Sequence, residues 1–338
     1  MKIIFKYFIG LFFLLVALYF SGPRPRPPNL IKPFPQISAT LDEISDWVDQ
    51  KEKLYDNIKH DNESKIIFAD SIRKKTKYSI VYLHGFSGSA EDGAPVHEQV
   101  AKALGFNLYL PRLFAHGLNE SEPLLNYSGE KSLDSAREAI AIGKILGEKV
   151  ILMGTSTGCT LALTLADDHD IAALVMYSPN IRITHPLDFI ATTPWGLNLI
   201  RQIEGGNYHL MDDLNTNPYK TQYWTYRYRL EAVVEMQKLL ETTMIPSTFN
   251  KVKVPVFSGF YYKNEIEQDL VVSVSAMKEM FQQLGTPKHL KEEKAFPNAG
   301  IHEIACWIVT KNHSEVREAT LNFLNRVLET RQNKSVIH

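Results

Sequence analysis

The chain has 338 residues, of which 44% are hydrophobic, so it can bury a sizeable core in one large domain or two smaller ones. Its 37 lysines and arginines nearly balance its 38 aspartates and glutamates. A balanced charge gives no overall field that would attract nucleic acid, so that class of partner is not expected. The two cysteines, Cys159 and Cys306, lie in no paired spacing, which predicts neither a disulfide framework nor a zinc knuckle and leaves a single bridge open.

Residues 1–21 differ from the rest of the chain. They start with two lysines and continue as an apolar run from Tyr7 to Phe20, whose length fits a signal peptide and approaches that of a membrane span. Leu18 and Tyr19 stand near the point where a cleavage site needs small residues. We therefore predict an uncleaved transmembrane signal-anchor with the domain outside the cytoplasm, periplasmic or extracellular. A cleaved secretion signal and a buried N-terminal helix are the alternatives.

The next segment, residues 22–36, is rich in proline, which predicts an extended linker rather than a packed element. The folded domain is then expected over residues 37–335. In it, short apolar runs rich in β-branched residues alternate with longer segments of helical periodicity. The predicted strands are 65–70, 78–86, 106–113, 149–156, 171–180 and 254–262, and the clearest helices are 95–104, 132–146 and 272–284.

This alternation predicts an α/β fold, in which a mostly parallel sheet carries helices on both faces. Functional residues are then expected at the carboxyl ends of the strands. The first two strands are joined by a short connection, so we expect them to pair antiparallel at one edge. The alternation fails over residues 181–251, which contain a dense aromatic patch and an amphipathic helix near Leu230 to Leu240. A strand connection of this length predicts an inserted helical cap.

The stretch "VILMGTSTGCTLAL" places Ser156 between a predicted strand and a predicted helix, with Gly154 and Gly158 two residues away on either side. A serine in such a sharp turn needs small neighbours, and its hydroxyl is pushed outwards. The first amides of the helix favour negative charge there. Because the pentapeptide also arises by chance, a glycine-rich turn with a capping serine is the competing interpretation.

A serine nucleophile needs a base, and His302 is the best candidate. It lies in "FPNAGIHEIAC", a turn between a short strand-like stretch and the last helix, whereas His289, His313 and His338 lie in a loop, beside a helix cap and at the terminus. The chain order serine, acid, histidine is the one expected for this kind of turn.

The acid that orients the histidine is expected in the loop "KNEIEQDLVVS", after the strand 254–262. Asp269 is the first choice because it directly precedes the next helix. Glu265 is the second choice, and Glu267 and a merely solvated loop stay open.

Two amides are needed to stabilise an oxyanion. Thr157 supplies one by its position after the serine. The second is expected from Phe86 in "HGFSG", where glycines leave the backbone accessible at a strand end. His84 in the same motif is expected to pack beneath the loop rather than to act as the base.

The segments "HGFSG", "PRLFAHG", "GTSTG", the acid loop and "NAGIHEI" follow one another in this order. With them the chain resembles the α/β-hydrolase superfamily, above all its monoacylglycerol-lipase and carboxylesterase-like branch, over about residues 60–330. The resemblance implies the α/β-hydrolase fold with a cap after the sixth strand. It also implies a catalytic triad of Ser156, Asp269 and His302. The amides that it implies for the oxyanion are those of Phe86 and Thr157.

The expected function is that of a serine hydrolase that cleaves lipid or small acyl esters through an acyl-enzyme and needs no cofactor or metal. The aromatic residues of the cap favour an apolar acyl or aryl group. A thioesterase or an aminopeptidase would share the triad, and Asp212 and Asp213 in the cap would suit a substrate amino terminus. A non-catalytic, membrane-tethered binding module is the alternative from another class.

Overall fold

A computed structural model describes residues 2–185, 188–211 and 217–335. The strands are β1 Lys65–Ile67, β2 Thr76–Leu83, β3 Asn107–Leu110, β4 Gly147–Thr155, β5 Ile171–Tyr177, β6 Tyr208–Leu210, β7 Arg227–Arg229, β8 Val256–Phe260 and β9 Lys291–Ala295. The helices are α1 Lys2–Phe20, α2 Ile44–Glu52, α3 Val96–Leu104, α4 Gly129–Leu146, α5 Thr157–Leu165, α6 Gly196–Ile203, α7 Pro218–Tyr223, α8 Leu230–Thr243, α9 Pro246–Lys251, α10 Val274–Gln283 and α11 His313–Ser335.

Seven strands form one sheet in the order β1-β3-β2-β4-β5-β8-β9. From β3 to β9 all neighbours are parallel, so the prediction of a mostly parallel sheet is confirmed. The carboxyl ends of β2, β4, β5, β8 and β9 therefore meet at one edge of the sheet.

The edge strand β1 corrects one detail of the prediction. It is antiparallel, as expected, but it pairs with β3 rather than with its sequence neighbour β2, and Lys65 lies opposite Leu110. Strand β2 is flanked by β3 and β4 on its two sides and has no free edge for β1.

Alternating residues of the central strands enter two cores, one on each face of the sheet. Val81 and Leu83 of β2 pack with α4, α5 and α10 on one face, while Ile80 and Tyr82 pack with α3 and α11 on the other. All four side chains are fully buried. Burial on both faces explains why these strands read as continuous apolar runs rather than as alternating ones.

Residues 181–251 lie between β5 and β8 and include α6 to α9 and the small antiparallel pair β6-β7. The predicted amphipathic helix near residue 230 is α8, which buries Leu239 and Leu240. Whether this segment is a separate cap, and how the chain divides into domains, stay predictions.

The predicted N-terminal transmembrane anchor is wrong, and so is the membrane-bound localisation that depended on it. Within residues 2–185, 188–211 and 217–335, no helix combines the length and the apolar character that a membrane crossing requires. The prediction failed because the apolar run from Tyr7 to Phe20 is too short. At 1.5 Å per residue it extends about 21 Å, whereas the hydrocarbon core of a bilayer is about 30 Å thick.

The proline-rich residues 22–36 form no helix or strand, and part of this stretch lies against α4. Lys32 forms ion pairs with Glu130 and Asp134, at 2.6 and 2.7 Å. The two cysteines, Cys159 and Cys306, are both buried and free, so the chain contains no bridge between them.

Truncation of Leu152 to alanine is expected to lower the free energy of unfolding by about 2–5 kcal/mol, because a fully buried leucine of the central strand β4 leaves a cavity. Urea unfolding followed by circular dichroism measures this loss. Leu54 is 80% exposed, and its alanine variant is the matched control, with a change within about 0.5 kcal/mol. Equal midpoints for the two variants would contradict this account of the core.

Candidate active site

Ser156 occupies a strained turn between β4 and α5. Its φ is 53° and its ψ is −120°, a conformation that residues with a side chain rarely adopt. A Cβ added at Gly158 would lie 1.8 Å from the Leu83 carbonyl oxygen, and one at Gly154 would lie 2.7 Å from the same atom. Both glycines of the pentapeptide are therefore required for the close approach of β2, β4 and α5.

The strained turn is held by its backbone. The Ser156 N–H donates to the Tyr177 carbonyl, and the Ser156 carbonyl accepts from the amides of Cys159 and Asn180 at 2.9 and 3.1 Å. Ser156 itself is 8% exposed, and Thr157 is the first residue of α5. The first amides of a helix have no partner within it, so the Thr157 N–H is available to an anion beside the serine.

Asp269 and His302 meet in a buried hydrogen bond. The Nδ1–H of His302 donates to Asp269 Oδ2 at 2.6 Å, while Asp269 Oδ1 accepts from the amides of Val271 and Val272 at 2.9 and 3.0 Å. Asp269 follows β8 and His302 follows β9, so two neighbouring parallel strands bring the pair together. The hydrogen bond leaves Nε2 of His302 as the free ring nitrogen.

The other candidate acids lie elsewhere in the loop. Glu265 is exposed and accepts from the Tyr262 hydroxyl at 2.7 Å. Glu267 is exposed and pairs with Lys263 at 2.8 Å. Of the three acids in this loop, Asp269 is the one that the structure brings to His302.

The two partners have opposite pKa shifts. Burial by itself lowers the pKa of His302, but the charge of the Asp269 carboxylate and the hydrogen bond to it outweigh burial and raise that pKa. Burial by itself raises the pKa of Asp269, but the imidazole and the two loop amides outweigh it and lower that pKa. The pair therefore favours a carboxylate beside an imidazole that readily accepts a proton.

The loop after β2 presents the Phe86 amide. On either side of it, the Gly85 N–H donates to Asp92 Oδ2 at 2.6 Å and the Ser87 N–H donates to His116 Nε2 at 3.0 Å. Among the described residues, none accepts a hydrogen bond from the Phe86 N–H. This amide is therefore free to donate into the cavity, and its role as the second oxyanion donor stays a prediction.

Two buried histidines support this loop in their neutral form. His84 accepts from the Leu113 N–H at Nε2 and donates to the Gly85 carbonyl from Nδ1, at 3.1 and 2.9 Å. His116 donates from Nδ1 to the Phe114 carbonyl at 2.8 Å. Burial lowers the pKa of His84 well below its usual value and that of His116 to about 4. His84 thus packs under the loop, whereas the structure gives Nε2 of His302 no hydrogen bond within the described residues.

A third buried group, Asp92, was not singled out by sequence reasoning. It lies in the turn 90–93 and is 1% exposed. Its Oδ1 accepts from the Tyr82 hydroxyl, which is 2.7 Å from Thr155 Oγ1. Burial raises the pKa of Asp92 to about 8. An acidic residue in "GSAEDGAP", a few positions after the "HGFSG" motif, was the available signal, but an acid in a polar turn is more often solvated.

A cavity of about 600 Å³ opens on this site. Ser156, Thr157, Phe86 and His302 all line it. Its far wall comes from the segment between β5 and β8 and is mostly apolar. The apolar wall residues are Ile183, Ile190, Ala191, Ile200, Ile203, Met211, Tyr228, Leu230, Val233 and Met236.

Comparisons with known proteins agree with this fold. The family model described as the alpha/beta hydrolase family matches residues 80–313, well over half of the chain. The chain belongs to the alpha/beta hydrolase family. The predicted superfamily and the predicted α/β-hydrolase fold are thereby confirmed. Among curated proteins, none matches this sequence at a significant level.

Solved structures of the same fold include several hydrolases. One from the metagenome-derived lipolytic enzymes LipS and LipT has a TM-score of 0.64 at 16% identity and covers 80% of this chain and 99% of its own. Monoacylglycerol lipase of Paleococcus ferrophilus has a TM-score of 0.55 at 16% identity and covers 78% and 98%. Est1E of Butyrivibrio proteoclasticus with ferulic acid bound has a TM-score of 0.55 at 15% identity and covers 79% and 95%. At these identities the likeness extends to the fold.

Replacement of Asp269 by asparagine is expected to lower the pKa of His302, because it removes the negative charge that stabilises the imidazolium. Titration of the histidine ring signals by NMR measures the shift. Glu265→Gln is the matched control and is expected to leave that pKa unchanged, since Glu265 pairs with Tyr262. An equal shift in both variants would contradict the assignment of Asp269 as the partner.

The neutral histidines are expected to make the fold sensitive to acid. The unfolded chain protonates the His116 imidazole near pH 6.5 and the folded chain only near pH 4, so stability is retained above this window and lost as the pH falls through it. The loss is on the order of 3 kcal/mol for this group. Denaturant unfolding between pH 7 and 4 measures it. His116→Gln, which keeps an acceptor for the Ser87 amide, should flatten the profile, and the same change at exposed His60 should not.

Proposed function

We propose that the protein is a serine hydrolase that cleaves carboxylic esters through an acyl-enzyme on Ser156. The observation that carries the proposal is the buried hydrogen bond from His302 to Asp269 at 2.6 Å, at a cavity that Ser156 also lines. A serine at a strained strand-to-helix turn, a histidine oriented by an acid and two free amides are the parts that acyl transfer requires.

In the first half of the reaction, Nε2 of His302 takes the proton of the Ser156 hydroxyl as Oγ attacks the ester carbonyl. The carbonyl oxygen becomes an oxyanion, which accepts hydrogen bonds from the amides of Phe86 and Thr157. Asp269 stays ionised and stabilises the positive charge on the imidazolium. The bond to the leaving alcohol then breaks as His302 returns the proton to the alkoxide oxygen.

The second half repeats these steps with water. His302 removes a proton from the water, the hydroxide adds to the acyl carbonyl, and the same two amides stabilise the oxyanion. Collapse of this intermediate releases the carboxylic acid, and the Ser156 oxygen regains its proton from His302. The chain's own residues supply every proton transfer in this scheme.

The proposed substrate is an ester with an apolar acyl or aryl group. The cavity has about 600 Å³ and its far wall is mostly aliphatic, which favours burial of an apolar chain over a charged one. Lipolytic enzymes and Est1E with ferulic acid bound share the fold, and this agrees with lipid or aryl esters.

A thioesterase would use the same residues and differs only in the leaving group. For an aminopeptidase, the predicted acids Asp212 and Asp213 lie outside the described residues. The described cavity wall does include Asp188 and Glu204, but Glu204 is exposed and lies 3.5 Å from His209 Nδ1, and most of the wall is apolar. The ester therefore stays the first choice.

Ser156→Ala is expected to abolish turnover of p-nitrophenyl butyrate, with a loss of at least about 10⁴-fold in kcat, because it removes the proposed nucleophile. A fluorophosphonate probe should label the wild type at Ser156, as read by peptide mass spectrometry, and should leave the variant unlabelled.

Ser258→Ala is the matched control. Ser258 is a fully buried serine on β8 whose hydroxyl has no hydrogen-bond partner among the described residues, and its loss should change neither rate nor labelling. Turnover that persists in Ser156→Ala would exclude the mechanism. A wild type that neither hydrolyses esters nor takes the label would favour a binding module.

A further inference from the structure

Asp92 is a buried ionisable group that the proposed mechanism does not use. Asp92 is 1% exposed and lines the same cavity as Ser156 and His302. It does not contact the Asp269–His302 pair through any hydrogen bond of the described residues, and its two oxygens are used elsewhere. A carboxyl group in such a position is costly to bury, so its partners indicate what it does.

We infer that Asp92 is a positioning residue, whose carboxyl group fixes the Gly85 amide and thereby aims the Phe86 N–H at the oxyanion. The inference rests on the proposed function, since it concerns the donor that stabilises the tetrahedral intermediate. Asp92 acts through the backbone and touches no reacting atom.

The geometry of one peptide carries the first step of the argument. Gly85 and Phe86 share a planar peptide, in which the Gly85 carbonyl and the Phe86 N–H point in opposite directions. The carbonyl accepts from His84 Nδ1 at 2.9 Å and from the Gly88 N–H at 3.3 Å. With the carbonyl held on one side, the Phe86 N–H must point to the other side.

The carbonyl alone does not fix this peptide, because the glycine before it has wide rotational freedom. Asp92 removes that freedom by accepting the Gly85 N–H at 2.6 Å, a shorter hydrogen bond than either of those that the Gly85 carbonyl accepts. The site leaves little space for another arrangement. A Cβ at Gly85 would lie 3.1 Å from Asp92 Oδ2 and 3.3 Å from the Cβ of Ser156.

Asp92 also ties this loop to the serine turn. Its second oxygen accepts from the Tyr82 hydroxyl, and that hydroxyl is 2.7 Å from Thr155 Oγ1. Thr155 precedes Ser156 in the chain, and Thr157, the other donor, follows it. A continuous line of buried hydrogen bonds thus connects the segments that carry the two oxyanion amides.

The role requires an acceptor and not a charge. Burial raises the pKa of Asp92 to about 8. When the carboxyl group is protonated, the proton lies on Oδ1 and is donated to the Tyr82 oxygen, while Oδ2 still accepts from the Gly85 amide. An asparagine can do the same with its amide oxygen and can donate from its nitrogen to the Tyr82 oxygen. A leucine of similar size leaves the Gly85 N–H without a partner.

The test compares Asp92→Asn and Asp92→Leu in the full chain, with p-nitrophenyl butyrate as substrate and an alkyl trifluoromethyl ketone as inhibitor. The ketone forms a hemiketal oxyanion with the serine, so its inhibition constant reports the oxyanion site directly. We expect Asp92→Leu to lower kcat by about 10- to 100-fold at a nearly constant KM, since loss of one donor costs about 10²–10³-fold. The inhibition constant should rise by the same factor.

Asp92→Asn is expected to stay within about fivefold of the wild type in both measurements, which is the rescue that an acceptor role predicts. Thr320→Val is the matched control, because it removes a buried hydroxyl that bonds Tyr177 at 2.8 Å, remote from the cavity. It should leave kcat, KM and inhibition unchanged, whatever its effect on stability.

Three results would overturn the inference: a folded Asp92→Leu with wild-type kcat, a rise in KM alone, or a folded Asp92→Asn that is as impaired as Asp92→Leu. If Asp92→Leu does not fold, Asp92→Ser, which keeps a shorter polar side chain that no longer reaches Gly85, takes its place with the same expectations. Inactivity of the wild type towards every ester would instead refute the proposed function, so the two failures are distinguishable.

Discussion

The site depends on one close approach between backbones. Strand β2 pairs with β4 so that Leu83 lies opposite Gly154, and the Leu83 carbonyl then faces the start of α5 at Gly158. Side chains at either glycine would separate these elements. Because they touch, Ser156 is held in its strained conformation and the loop after β2 begins directly beside it. The proposed nucleophile and the proposed oxyanion loop are therefore neighbours because of a single packing constraint.

Around this contact, histidines with different neighbours have opposite properties. His302 faces the carboxylate of Asp269 and gains affinity for a proton. His84 and His116 face backbone amides through Nε2 and have lost that affinity. Burial acts on all three in the same direction, so the partner at each ring decides the outcome. The partner at the ring thus distinguishes the histidine that is proposed to move protons from the two that hold the loop.

Much of the fold and of the site's geometry could be predicted from sequence, because local patterns encode them. The six predicted strands rested on short apolar runs rich in β-branched residues. The placement of Ser156 and His302 and the choice of Asp269 over Glu265 rested on their positions relative to predicted strands and helices. Asp92 could not be found in this way, since its burial arises from distant elements that close over the turn 90–93. The N-terminal segment was misjudged because an apolar run was interpreted as a span although it is too short.

The proposed reacting groups and most of the cavity-lining residues come from different parts of the sequence. The groups proposed to perform the reaction come from turns that follow β2, β4, β8 and β9, whereas more than half of the cavity-lining residues come from positions 183–237. Changes within that one continuous stretch can reshape the choice of ester while the reacting groups stay in place. Substrate selectivity can therefore diverge by insertion, deletion or recombination within residues 183–237, while the turns that carry the proposed reacting groups stay unchanged.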